Sequence, residues 1–245
     1  MAPTLQEARF ALQRHALRVL SRTWRPDAGA LRYFKVEEPI IVDVGANRGF
    51  SISGFLMLKS KARIVAFEPL PELAAILRVR YEKSPNVIIH SCALGSADGQ
   101  MTIYIPIYRG YMFDALASLD YDEAANWVNP DRLYFFNAEK IQINKEHVKV
   151  FRLDNFSIEP DIIKINAQGH EPAVLRGGET TIQRYEPAIM VPARIPRLDA
   201  CLRDFGYTRY AFLNSKLYLE AEGHTFSWYI KRKHLALFSC HVEKA

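Results

Sequence analysis

The sequence predicts an α/β fold: a mostly parallel sheet with helices on both faces and an antiparallel edge that closes it. Three observations carry this. Between residues 39 and 94, short apolar runs alternate with helical stretches in the order β-α-β-α-β, and parallel neighbours need such crossovers. The alternation resumes at residue 161 after an interruption. The C-terminal tail then offers three strand-like runs separated by turn residues, the pattern of an antiparallel edge.

The first element is a helix. Leu5, Ala8, Leu12, Ala16 and Val19 recur at helical spacing, and the pattern ends before Pro26. Residues 1–35 hold seven Arg or Lys and two acids, an excess equal to the net charge of +5 of the whole 245-residue chain. The basic balance therefore belongs to an N-terminal extension, and no nucleic-acid groove is expected. Three readings of this helix stand open. It packs on the domain or on a second subunit, it docks on an anionic membrane surface, or it is a transit peptide. Residues 36–245 are expected to form one domain.

In that domain "IIVDV" (40–44) reads as a strand and "SISGFLMLKS" (51–60) as a helix. "RIVAF" (63–67) is the second strand, and "PELAAILRVRYEK" (71–83) a helix with Pro71 in its first turn. "NVIIHSCAL" (86–94) is a third strand. "MTIYIPI" and "HVKVFRL" read as strands around an irregular, aromatic-rich insertion at about residues 104–147. "DIIKI" (161–165), "PAVLRGGETTIQRY" (172–185), "AIMV" (188–191) and "IPRLDACLRDFG" (195–206) restore the alternation. The tail adds "YTRYAFL", "KLYLEAE" and "FSWYIKRK". No apolar run approaches the roughly 20 residues that span a bilayer. Cys92, Cys201 and Cys240 are scattered and odd in number. They suggest neither a disulfide framework nor a metal pair, so a reducing, cytoplasmic setting is expected.

The strongest local signal is "VDVGANRGFS" (42–51): a strand ends in Asp43, Gly45 and Gly49 flank Asn47, and a helix begins. Glycine lets the backbone turn tightly and approach a ligand closely. The spacing lacks the glycine pair that admits a pyrophosphate. Asp43 would repel a phosphate and attract a cationic amine or sulfonium. Glu68, in "AFEP", ends the next strand 23 residues after Gly45, which suits a carboxylate accepting ribose hydroxyls. Together they point to a nucleoside cofactor without a pyrophosphate, and S-adenosylmethionine fits. The alternative is an ordinary strand-turn-helix with a solvated Glu68.

With "VAFEP", "CALG" (92–95) and "IKINAQGHEPAVLRGG" (163–178) added in this order, the chain resembles the FkbM family of S-adenosylmethionine-dependent methyltransferases over about residues 38–195. The resemblance implies the Rossmann-like class I methyltransferase fold, with a seven-stranded sheet holding one antiparallel strand. It implies that Asp43, Gly45, Asn47 and Gly49 line the methionine end, with Ala46 and Ser51 also in the cofactor-binding set. It implies that Glu68 binds the ribose, with Pro69 also in the cofactor-binding set and Ser91, Cys92 and Ala93 near the adenine. It also implies O-methylation of a hydroxyl, typically on a sugar or natural product.

The chain departs from the family pattern where "INAQGHE" stands for the usual I-D-V-E-G-H-E. Asn166 and Gln168 replace two acids. Amides cannot take up a proton, though they can orient a ligand. Asn166 remains a candidate in the catalytic and cofactor sets, and Gln168 in the substrate set. His170 is the candidate base, matched to neutral pH, with Glu171 behind it. The competing readings are a structural histidine and a helix N-terminal acid. Lys164 either reaches the substrate or pairs with an acid. No metal is expected, since Mg²⁺ favours carboxylates and Asp154 alone remains nearby.

Nine of the 29 aromatics fall within residues 104–136, either as a substrate wall or as the insertion's own core. Tyr111 and Ser118 are candidate substrate contacts. The expected activity is S-adenosylmethionine-dependent O-methylation of a sugar or glycoconjugate hydroxyl. The partner would be a small molecule or glycan and not a nucleic acid, and a homo-oligomer is compatible. The alternatives are a polyketide or lipid acceptor, or a cofactor-binding pseudoenzyme.

Overall fold

The structure is a computed structural model that describes residues 5–20, 23–193 and 195–244. Arg22, counted in the basic extension, lies outside the described residues.

The first half runs α1 (Leu5–Val19), β1 (Ile40–Val44), α2 (Phe50–Leu58), β2 (Arg63–Phe67), α3 (Pro71–Arg80) and β3 (Val87–His90). The interrupting segment holds β4 (Ala93–Leu94), β5 (Gly99–Tyr108), β6 (Tyr111–Met112), α4 (Tyr121–Trp127) and β7 (Ile141–Phe151). The remainder is β8 (Ile162–Ile165), α5 (Glu171–Gly177), α6 (Glu179–Tyr185), β9 (Ala188–Pro192), α7 (Pro196–Asp204), β10 (Thr208–Leu213), β11 (Lys216–Leu219), β12 (Phe226–Ile230) and β13 (Val242–Lys244).

The main sheet has the order β13-β11-β10-β12-β9-β8-β1-β2-β3. From β3 to β9 every pairing is parallel. β12 inserts antiparallel between β9 and β10. These seven strands form the expected sheet, and β11 and β13 extend its edge. The strands are nearly continuous apolar runs because both faces are covered. Alternate residues feed two cores: Ile41, Ile64 and Ile162 face one, and Val42, Val65 and Ile163 the other.

Four local expectations change. The third strand splits: His90 ends β3, while Ala93 and Leu94 pair with β7 in a second sheet of order β4-β7-β5-β6. The helix read over 172–185 is two helices, α5 and α6, meeting at Gly177 and Gly178. A Cβ on Gly177 would come within 1.8 Å of the Gly95 carbonyl, so a glycine permits the close approach of the two segments.

The domain also begins before residue 36. A 3-10 helix over Pro26–Tyr33 buries Ala28, Ala30 and Leu31 in the main core, followed by Phe34. Asp27 accepts hydrogen bonds from the backbone N–H groups of His224, Thr225 and Phe226. Trp228 Nε1 donates to the Asp27 carbonyl at 2.8 Å.

α1 packs on the domain with the face opposite to the apolar stripe. Phe10 lies edge-on to Phe50 at 5.9 Å, whereas Leu12, Val19 and Leu20 are exposed. Among the described residues no helix is long and apolar enough to cross a membrane.

Candidate functional site

In an open α/β sheet a ligand crevice forms at the carboxyl ends of the strands, where the chain order reverses. Here the reversal lies between β1 and β8: the chain moves from β1 outward to β2 and from β8 the other way to β9. A cleft of about 770 Å³, its open mouth included, sits at that point.

The cleft floor is the loop after β1. The N–H groups of Gly45 and Ala46 donate to the Phe67 carbonyl at 2.9 and 3.1 Å, tying the loop to β2. Gly45 has φ +74°, and a Cβ there would lie 2.1 Å from the Asn166 carbonyl oxygen. Glycine is therefore required for β1 and β8 to diverge this closely. Asn47 adopts φ 47° and donates its N–H to Glu68 Oε2 at 2.6 Å.

Glu68 is 3% exposed, and its Oε1 also accepts from Leu70 N–H. Burial pushes its carboxyl up to about 7, against these two backbone hydrogen bonds. A carboxylate has about four acceptor positions, so acceptor capacity remains towards the cleft.

Beneath the loop lies a charge pair. Asp43 and Lys164 are cross-strand partners in the β1–β8 register and share a face. Their side chains are 0% and 3% exposed, with Lys164 Nζ 2.8 Å from Asp43 Oδ1. Lys164 also donates to the carbonyls of Val44 and Gly45. Ser51 donates to Asp43 Oδ2. Asp43 thus fixes the loop from below and does not present its charge to a ligand. Lys164 does not reach the substrate side, so the acid-pairing reading holds.

After β8 the chain turns sharply. Gln168 and Gly169 both have positive φ, and His170 N–H donates to the Ala167 carbonyl at 3.1 Å. This turn brings Asn166, Gln168 and His170 to the cleft wall. Burial, the larger effect, and then Arg176 lower the His170 imidazole below its usual 6.5, against the opposing pull of Glu171. The ring is therefore neutral near pH 7. Glu171 turns away: it is 1% exposed, and its Oε1 accepts from Ala167 N–H at 2.9 Å. It supports the turn and is not available as a second base.

Of the other expected residues, Pro69, Cys92, Ala93 and Ser118 line the cleft, while Ala46, Gly49, Ser51, Ser91 and Tyr111 do not. Burial raises the Cys92 thiol to about 11, so it stays neutral as a wall group. The Ser118 hydroxyl donates to Glu123 and accepts from Asp120 N–H, which commits its proton to the turn before α4.

The aromatic wall is absent. From β5, Met101 and Ile103, and from the insertion, Asp114, Ala117, Ser118 and Leu119 line the cleft. The aromatics pair with each other, as Tyr104 with Tyr121, Tyr108 with Phe136 and Tyr111 with Phe113, or face solvent, as Tyr134 and Phe135 do. Sequence reasoning missed Asp114, the second cleft carboxylate. No local motif marks it.

The donor set tests the cofactor. Glu68 and Asp114 are acidic, and among the described residues no lysine or arginine lines the cleft. A phosphate would be disfavoured beside these two acids. An uncharged nucleoside, with hydroxyls to donate to the buried Glu68 carboxylate and a base to lie on apolar walls, fits. Asp154, the remaining metal candidate, is engaged with Thr181 and Arg152. Among the described residues no cluster of three or more His, Cys, Asp or Glu is arranged to hold a metal.

The fold and cleft together define a Rossmann-like methyltransferase of class I. The FkbM methyltransferase domain model matches residues 43–216, and the chain belongs to that family. Membership brings S-adenosylmethionine as the cofactor, which the cleft chemistry suits. The chain is similar to the 2-O-methyltransferase NoeI of Sinorhizobium fredii, with 25% identity over 152 residues and 60% of each chain covered. It thus spans less than two thirds of that relative. Among solved structures it is similar to an FkbM methyltransferase from Methylobacillus flagellatus (16% identity, 79% of this chain and 44% of that one, TM-score 0.49). It is also similar to Aeropyrum pernix fibrillarin (12% identity, 82% and 71% covered, TM-score 0.44).

Proposed function

We propose that this chain methylates a hydroxyl group of a sugar or glycoconjugate, with S-adenosylmethionine as the methyl donor. The observation that carries the reading is the meeting of Glu68, the Gly45–Asn47 loop and His170 around one cleft. The similarity to a protein named as a 2-O-methyltransferase supports oxygen as the acceptor atom.

The cofactor, when bound, supplies a methyl group activated on a sulfonium. Glu68 would hold its ribose hydroxyls, and Cys92, Ala93 and Leu70 would pack against the base. The Gly45 backbone would approach the methionine end without a side chain intervening. Most of the rate then comes from alignment, where fixed geometry is worth roughly 7–11 kcal/mol.

His170 has the remaining task. Its neutral imidazole accepts the acceptor's hydroxyl proton as attack proceeds, a contribution of roughly 10² to 10⁴ in rate. Gly95 makes room for Val150 and the ring, since a Cβ there would lie 2.7 Å from Val150 Cγ1 and 3.1 Å from His170 Nε2. Asn166 and Gln168 orient the acceptor through amide hydrogen bonds and leave the base role to His170. Met101, Ile103 and Leu119 add apolar lining to the same cleft.

The test is methyl transfer to a panel of glycosides by the wild-type protein and by His170→Ala. Turnover on a glycoside that falls sharply in the variant supports the reading. Donor binding with no transfer to any hydroxyl acceptor sinks it.

A further inference from the structure

Arg48 sits inside the cofactor loop, between Asn47 and Gly49, yet its side chain points away from any ligand role. Its Nε and Nη2 donate to the Asp114 carboxylate at 3.1–3.2 Å. Its Nη1 donates to Glu7 of α1. The side chains of Arg48, Asp114 and Glu7 are 6%, 4% and 14% exposed. The guanidinium also lies over the Phe10 ring, 4.5 Å from its centre.

The backbone carbonyl of Arg48 is held as well. It accepts from Arg14 of α1 at 3.2 Å and from Arg80 at 2.7 Å. Arg80 in turn bonds to Glu7. Gln6 of α1 donates to the Met112 carbonyl of the insertion at 2.7 Å.

Three segments far apart in sequence therefore meet at one guanidinium: α1, the loop under the cofactor and the wall that carries Asp114. The helix faces the domain with Gln6, Glu7, Phe10 and Arg14 and exposes Leu12 and Val19. Much of its grip is polar and directional, and it is spent on the two walls of the cleft. Partly buried bidentate pairs of this kind fix geometry, and removing one partner leaves a costly unpaired charge.

We propose that Arg48 is a positioning residue for the cofactor site, held by Glu7, so that α1 forms part of the binding apparatus. Its partner Asp114 is thereby fixed as a cleft carboxylate. This rests on the cleft being the S-adenosylmethionine site.

The test is calorimetric titration of S-adenosylhomocysteine into wild type, Glu7→Gln, Arg48→Met, Arg48→Lys and Leu12→Ala, with thermal unfolding of each. Glu7→Gln should weaken binding about tenfold and Arg48→Met more, with Arg48→Lys recovering part of the loss. Leu12→Ala, on the exposed face, should bind as wild type does. If Glu7→Gln and Arg48→Met unfold at lower temperature but bind with wild-type affinity, the network is structural only and the inference falls. Absence of binding by wild type itself would instead overturn the cofactor assignment, and the inference with it.

Discussion

Glu68 gives the sharpest prediction, because its burial carries a free-energy cost that pH can switch. Its carboxyl stands at about 7 in the folded chain, against an ordinary 4.5, with burial as the main cause. Below the ordinary value the group is protonated in both folded and unfolded chains. As pH rises, the unfolded chain ionises first while the folded one keeps its proton, so stability is lost until the pH passes about 7. Each pH unit separating the folded and unfolded values is worth about 1.36 kcal/mol. Between about pH 5 and about pH 8 the loss comes to roughly 2–3 kcal/mol.

Glu68→Gln has no titration and keeps the shape. The amide has a single acceptor oxygen where the carboxylate accepts separately from Asn47 and Leu70. That adds a pH-independent offset of about 1 kcal/mol. Urea unfolding of both proteins at the two pH values isolates the titrating part. Wild type should lose roughly 2–3 kcal/mol relative to Glu68→Gln as pH rises. Parallel pH profiles would refute this reasoning. Donor affinity should move oppositely, strengthening through about pH 7, because ligand hydroxyls donate to the ionised form.

The remaining predictions follow from the same geometry. Lys164→Met strands the buried Asp43 carboxylate and should cost about 3–5 kcal/mol in denaturant unfolding. Gly45→Ala forces a Cβ to 2.1 Å from the Asn166 carbonyl at φ +74°. It should destabilise the fold by at least about 2 kcal/mol and impair donor binding in a calorimetric titration. His170→Ala should lower kcat by roughly 10² to 10⁴ while leaving donor affinity within about twofold. The acidic limb of the wild-type rate profile should lie below the usual histidine value of 6.5, since burial lowers that group.

What the sequence makes legible is what is local. The strand alternation, the glycine turn after Asp43 and Glu68 at the end of β2 each depend on neighbouring residues, and each occupies its expected position. Contacts set by register or by distant packing are not legible. Lys164 could have pointed either way until the β1–β8 register put it beside Asp43. Asp114 carries no motif, and Arg48, though inside the glycine turn, meets it only because the insertion folds back over the cofactor loop.

Composition also misleads about direction. The aromatic density of the insertion reflects rings that pack on one another, not a wall facing the ligand. The apolar stripe of α1 faces outward, while Phe10 and Glu7 meet Phe50 and Arg48 beneath the helix. Residues 27–34 look like part of a basic arm by charge, yet Asp27 and Leu31 tie them into the core.

The most direct test of the central claim is a crystal structure of the chain with S-adenosylhomocysteine. The ribose hydroxyls should lie at roughly 2.5–3.2 Å from the Glu68 carboxylate, with the sulfur facing the side of the cleft that holds His170. A ligand bound elsewhere, or one whose ribose turns away from Glu68, would contradict that claim.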